Sequence, residues 1–337
     1  MAASPQAQAP SPAIVFDTLQ AYQRSVALKA GIDLDLFTAI SEGNHSLAAI
    51  ASRIQASEKG TRVLCDYLTM IGFLSKEGRD YSLTPDSAVF LDRRSPAYLG
   101  TMANFLMSSR TTGLLDDITA VVRNGGALPS EHGALEPENP MWVEFARSMA
   151  PLMRMPGELI AKMFAGSSPI RILDISAGHG VYGILFAQHN PNAQVTGVDW
   201  PNVLEVAKEN AAKAGVADRY SAIPGSAFDV DFGSGYDIIL IPNFLHHFDA
   251  ATNEKLLRKV HAALAPAGMV IAPEFIPNED RISPARDAMF SMQMLGTPAG
   301  DAYTYAELER MFRNAGFTHS AMRELAPFPQ RLVVSNK

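Results

Sequence analysis

Along residues 13–100 the apolar positions recur at helical spacing. Val15, Leu19, Tyr22 and Val26 share one face, and Gly31 is expected to close that helix before the short apolar segment Leu34, Leu36, Phe37 and Ile40. Ser46 stands as N-cap to Leu47, Ile50 and Ile54. Ser57 caps a longer helix with Val63, Leu64, Tyr67, Leu68 and Ile71 on one face, ended by Gly72. Two short strand-like pieces, Phe73-Leu74 and Tyr81-Ser82-Leu83, flank the polar turn 75–80, and Thr84-Pro85 opens another helix. This order predicts a winged helix-turn-helix. Its first helices carry more apolar surface than so small a module buries, which predicts a homodimer through this region.

Residues 97–165 read as helical and poor in strand signals. They concentrate Met102, Phe105, Met107, Met141, Trp142, Phe145, Met149, Met153, Met155 and Met163. Met141, Phe145 and Met149 recur every four residues and form one helix wall; core packing accounts for most such side chains, and thioethers and rings also suit a flat apolar ligand. The loop Asn124-Gly125-Gly126-Ala127-Leu128-Pro129 separates two of these helices.

From Ile170 the period changes. Apolar runs at 170–175, 195–199, 220–223, 236–241 and 269–274 alternate with helical stretches near 201–214 and 252–264, which predicts a doubly wound α/β sheet with ligands beyond the strand C-termini. The last two runs, 317–325 and 330–335, are joined by Ala326-Pro327-Phe328-Pro329, too short for a crossover helix, so they should pair antiparallel. The expected domains are therefore 13–100, a helical connection at 101–165, and 166–337.

Composition narrows the function. A net charge of −7 on 337 residues opposes binding to a phosphate backbone, and Glu58, Lys59, Arg62 and Asp66 of the presumptive recognition helix sum to zero. Cys65 is the single cysteine, so no intrachain disulfide or thiolate zinc site can form. No apolar run approaches a membrane span, and residues 1–12 are low-complexity without the charged and apolar regions of a secretory signal. A soluble, cytoplasmic protein without nucleic-acid or membrane partners is expected.

The candidate chemistry starts at Pro169-Ile170-Arg171-Ile172-Leu173-Asp174-Ile175-Ser176-Ala177-Gly178-His179-Gly180, a strand running into small residues before Val181–Ala187 resumes as helix. Glycines there let a ligand approach the backbone, and the helix N-terminus offers free N–H groups. Asp199 ends the next strand, where an acid can take two ribose hydroxyls. Asp174 adds a carboxylate that favours a cation; it would repel a pyrophosphate. This points to S-adenosylmethionine rather than NAD, although Gly178, Gly180 and Gly183 also satisfy the dinucleotide pattern.

Further motifs complete a pattern: Val198-Asp199-Trp200-Pro201, Pro224-Gly225-Ser226-Ala227-Phe228, Asn243-Phe244-Leu245-His246-His247-Phe248, and Glu274 at a strand end. With the glycine loop, these residues resemble the small-molecule O-methyltransferases of the family-2 type, over nearly the whole chain. The resemblance implies an N-terminal winged-helix dimerisation domain, a helical connection lining an acceptor pocket, and a Rossmann-like domain for S-adenosylmethionine, whose product is S-adenosylhomocysteine. It implies cofactor contacts at Asp174, Gly178, Gly180, Asp199, Trp200, Ser226, Ala227, Phe228 and Asn243. His246 would be the general base and Glu274 would orient it. Met141, Phe145, Met149, His247 and Met294 would meet an aromatic or polyketide-like acceptor.

The chain departs from that pattern in several places. Ser226 stands where an acid is usual, Pro242 where a lysine is, Ala302 where a second acid is, with Asp301 adjacent, and His247 where an acid follows the base. Which histidine works is open on sequence alone. His246, His247, Asp249 and Glu254 invite a metal reading, but adjacent residues of an extended segment point apart, so no metal is expected. Competing functions are an NAD(P)-dependent oxidoreductase, a winged-helix regulator that senses a ligand, and an S-adenosylmethionine-binding relative with changed or lost methyl transfer.

Overall fold

The computed structural model of the chain describes residues 10–113, 116–127, 136, 138–166, 168 and 170–337. These fall into two compact units, divided between Met107 and Ser108. Most of the low-complexity start, together with Leu128, Pro129 and Pro169, lies outside the described residues.

In the first unit α1 (Ala13–Gln20), α2 (Tyr22–Asp33), α3 (Leu36–Ser41), α4 (Leu47–Arg53) and α5 (Glu58–Met70) precede β1 (Leu74–Glu77) and β2 (Asp80–Leu83). Then come α6 (Pro85–Phe90) and α7 (Met102–Leu106). Helix starts fall where side-chain oxygens can take orphan N–H groups: Ser46 accepts from Ala49, Ser57 from Gly60 and Thr84 from Ser87. The hairpin is antiparallel, Leu74 opposite Leu83. Leu36, Phe37, Ile40, Ile50, Cys65, Leu68 and Tyr81 form the core.

Gly31 differs from expectation. Helix α2 continues through it to Asp33, because Gly31 is where Phe37 and Leu68 press on the helix: an added Cβ would lie 3.0 Å from the Phe37 ring and 3.2 Å from a Leu68 methyl. Close packing, not a helix stop, selects glycine here. Helix α1 buries none of its residues, and Ile14, Val15, Phe16 and Leu19 are exposed with Tyr22 and Val26 of α2. On α5 and the hairpin, Arg62 and Lys76 both pair with Asp66.

The second unit begins with α8 (Ser109–Gly113), α9 (Ile118–Asn124) and α10 (Pro140–Phe164). The alternating part follows: β3 (Ile170–Ile175), α11 (Val181–His189), β4 (Ala193–Asp199), α12 (Pro201–Lys213), β5 (Tyr220–Pro224), β6 (Tyr236–Leu240), α13 (Ala250–Ala263) and β7 (Leu264–Glu274). It ends with α14 (Ala285–Met294), α15 (Tyr305–Asn314), β8 (His319–Glu324) and β9 (Arg331–Asn336). Among the described residues the large sheet has seven strands in the order β5-β4-β3-β6-β7-β9-β8. All neighbours are parallel except β9, antiparallel to both β7 and β8.

Strand β7 starts five residues earlier than its apolar run, since Leu264 pairs with Tyr236 before a register shift brings Met269 opposite Ile238. The core joins Leu173, Ile175, Ile239, Val270 and Ala272 of the sheet to Leu256, Val260, Met311 and Phe312 of the helices. No helix among the described residues is long and apolar enough to cross a membrane.

Candidate active site

The carboxyl ends of β3, β4, β6 and β7 carry the predicted residues, and the antiparallel β9 starts at that same edge, Arg331 opposite Glu274. The three loop glycines do different work. Gly178 has φ +54, and a Cβ there would meet nothing nearer than 3.8 Å. Its glycine suits a left-handed turn under open space. Gly180 has φ +71 and abuts Ala207, Tyr220 and Ile184, while Gly183 lies where a Cβ would be 2.6 Å from Val195 and 3.0 Å from Asp174. Gly183 thus serves helix-to-strand packing.

Two carboxylates hold this loop. Asp199 accepts from the N–H groups of Gly178 at 2.8 Å and Trp200 at 2.7 Å. Burial pushes its pKa up to about 6 against those bonds. Asp174 is wholly buried and accepts from the Gly183 N–H at 3.1 Å, while its other oxygen has no partner. Burial pushes Asp174 up to about 8. The Tyr220 hydroxyl, packed against Gly197, is also buried without a partner. His179 is buried and held down to about 4, with its Nδ1 accepting from the Val181 N–H.

The second cluster follows β6. His246 Nδ1 lies 2.6 Å from Glu274 Oε2. The other Glu274 oxygen accepts from the N–H groups of Phe244 and Leu245, each at 2.9 Å. One buried carboxylate therefore fixes both the ring and the backbone that carries it. With Nδ1 so engaged, Nε2 is the nitrogen left to act on an acceptor. His247 differs: its Nδ1 is buried without a hydrogen bond, its ring meets Trp142 edge-on at 5.5 Å, and burial, with the neighbouring His246, holds its pKa well below the usual range.

Aromatic rings wall the histidines. Phe290 meets the His246 ring at 4.8 Å and stacks on Phe275 at 4.2 Å, and Phe145 meets Trp142 at 5.7 Å. Met141, Met149 and Met294 are buried, whereas Met155 and Met163 are exposed. Trp200 packs with Trp142 and Val143 against Val203 and Val206. Ala227 is buried in the main core with Phe228 and Phe244 against it. The Ser226 hydroxyl accepts from the Phe228 N–H.

Asn243 has φ +53; its N–H donates to the Pro273 carbonyl, and its side-chain oxygen accepts from Gln330 at 2.6 Å. Asp301 turns its carboxylate to Arg281, and only its backbone N–H reaches His246, at the carbonyl. Asp249 caps α13 and Glu254 accepts from Asn314. These acids are thus engaged apart from the histidines, and among the described residues no group of three or more His, Cys, Asp or Glu is placed to hold a metal. Sequence reasoning missed Gln330, Tyr182, Phe275 and Phe290, which sit in no recognisable spacing.

A seven-stranded sheet ending in an antiparallel pair, with a glycine loop, two strand-end acids and a His–Glu pair at one edge, defines a methyltransferase class of α/β protein. The chain belongs to the O-methyltransferase family: the profile described as the O-methyltransferase domain matches residues 129–318, and the O-methyltransferase dimerisation domain matches residues 16–93. It is an S-adenosylmethionine-dependent O-methyltransferase with an N-terminal dimerisation domain.

A crystal structure of a candidate O-methyltransferase from Nostoc punctiforme is 53% identical, with TM-score 0.93 over 98% of this chain and 100% of that one. Among characterised relatives, the 3-hydroxy-5-methyl-1-naphthoate 3-O-methyltransferase of Streptomyces sahachiroi is 26% identical over 90% of this chain and 89% of its own. The tetracenomycin polyketide synthesis 8-O-methyltransferase of Streptomyces glaucescens is 27% identical over 94% of each. Human N-acetylserotonin methyltransferase in complex with S-adenosylmethionine shares the fold, with TM-score 0.85 at 20% identity over 99% of each chain.

Proposed function

We propose that this site methylates a hydroxyl of a flat aromatic or polyketide-like small molecule, with His246 as general base. The observation that carries the reading is the buried His246–Glu274 pair, whose 2.6 Å bond leaves Nε2 to receive a proton. The cofactor fits the loop: Gly178 lies under open space, Asp199 offers carboxylate oxygens to ribose hydroxyls, and Asp174 holds a buried oxygen with no partner near the strand end. Trp200, Ser226, Ala227, Phe228 and Asn243 are the further residues assigned to it. When bound, S-adenosylmethionine supplies a methyl group on a sulfonium, open to attack by oxygen.

The protein's own part is alignment and proton transfer. A phenol is a weak nucleophile near neutral pH, and an imidazole within reach of its proton raises the oxyanion fraction during attack. Glu274 fixes the tautomer with the proton on Nδ1 and offsets the charge that develops as Nε2 is protonated. His247 suits this role poorly, because burial disfavours its charged form; it is assigned to the acceptor wall with Met141, Phe145, Met149 and Met294. The aromatic substrates named for the Streptomyces relatives support an acceptor with fused rings. The family's dimerisation domain and the bare apolar face of α1 support a homodimer.

The test is incubation with S-adenosylmethionine and a panel of hydroxynaphthoates, catechols and primary amines, read by mass spectrometry. A hydroxynaphthoate gaining one methyl on oxygen is expected. Transfer to amines alone, or none to any phenol, contradicts the proposal.

A further inference from the structure

Gln330 is almost fully buried at the start of β9, one residue before the Arg331–Glu274 register pair. Its amide donates to the Asn243 side-chain oxygen at 2.6 Å. Asn243 in turn has a left-handed backbone at φ +53, tied by its N–H to Pro273, and opens the segment whose next two N–H groups bind Glu274. A non-glycine residue keeps such a conformation when its surroundings over-determine it. The buried Tyr182, on the first turn of α11 after the glycine loop, joins the same cluster by donating its hydroxyl to the Met153 sulfur at 3.5 Å. The Asn243 amide nitrogen contacts the same sulfur.

We propose that Gln330 is a positioning residue: through Asn243 it holds the 243–246 turn, and with Tyr182 it registers the His246–Glu274 pair against the glycine loop. The functional consequence rests on His246 being the base. The geometry follows from topology. A parallel strand would deliver its last residues to this edge, whereas the antiparallel β9 delivers its first, which places Gln330 against Asn243, 87 positions earlier, and Arg331 opposite Glu274. Because Gln330 occupies the Asn243 oxygen, the Asn243 amide faces its remaining surroundings as a donor.

The experiment needs no acceptor. Proton NMR of the whole protein with S-adenosylhomocysteine should show a far-downfield resonance from the short Nδ1–H bond to Glu274, assigned by its loss in His246→Gln. In Gln330→Met the expected result is loss of that resonance, or its exchange with water accelerated about tenfold or more, while calorimetric S-adenosylhomocysteine affinity stays within about threefold. An unchanged resonance overturns the proposal. So does a resonance lost only together with cofactor binding and cooperative melting, since that marks a general structural role. If Gln330→Met does not fold, Gln330→Asn, which keeps an amide one methylene short of Asn243, is judged by the same results. Full turnover in His246→Ala would contradict the base assignment alone and leave this comparison standing.

Discussion

Asp174 shows how one side chain can set a pH response. Its folded pKa of about 8 lies above the ordinary 3.8, because burial outweighs the single N–H bond from Gly183. Between those values the native chain holds a proton that the unfolded chain releases, so stability is fully present below about pH 4 and falls as pH rises through about 8. The cofactor-free Asp174→Asn protein should therefore melt higher than wild type at pH 8, with the gap closing toward pH 4. Thermal melts across that range check it, and a constant gap would contradict the assignment. The ionised Asp174 favours an ammonium nearby, so S-adenosylhomocysteine affinity should strengthen from pH 6 to pH 8 in wild type and more weakly in Asp174→Asn. At Asp199, replacement by alanine removes charge-assisted bonds and should weaken that affinity about tenfold to a hundredfold.

At the scale of elements, the strand–loop–helix unit separates ligand contact from packing. Gly183→Ala forces a methyl against Val195 and Asp174 and should destabilise the fold by about 1–3 kcal/mol. Gly178→Ala meets no side chain, so its left-handed backbone should cost only about 1–2 kcal/mol while cofactor affinity falls further than melting implies. Paired melts and calorimetry check this. Much of the fold is legible in sequence: Ser46, Ser57 and Thr84 mark helix starts, and β-branched runs mark the strands, because capping and alternation act locally. Gly31 looks like a helix stop in sequence because the Phe37 and Leu68 contacts that demand a glycine lie outside its own helix. The early start of β7 depends on a register shift against β6, and Gln330 owes its place to pairing across the sheet. Neither leaves a local signal. Asp301, adjacent to the missing acid in sequence, is drawn away by Arg281, a partner 20 residues off.

For the whole molecule, the first unit leaves Phe16 and Leu19 of α1 exposed beside the larger apolar face of α1 and α2. Phe16→Asp with Leu19→Asp should convert a dimer to a monomer in light scattering at micromolar concentration without lowering the melting point of the second unit; wild type running as a monomer would contradict the dimer. The proposed mechanism rests on proton removal by His246 during methyl transfer. Its most direct test compares His246→Ala with His247→Ala, each assayed for turnover of a phenol found by the panel and for S-adenosylhomocysteine binding. Loss of a general base should lower turnover of His246→Ala about a hundredfold to ten-thousandfold with cofactor affinity nearly intact, and His247→Ala should lose much less. Turnover lost in His247→Ala and kept in His246→Ala, or kept in both, would contradict the account.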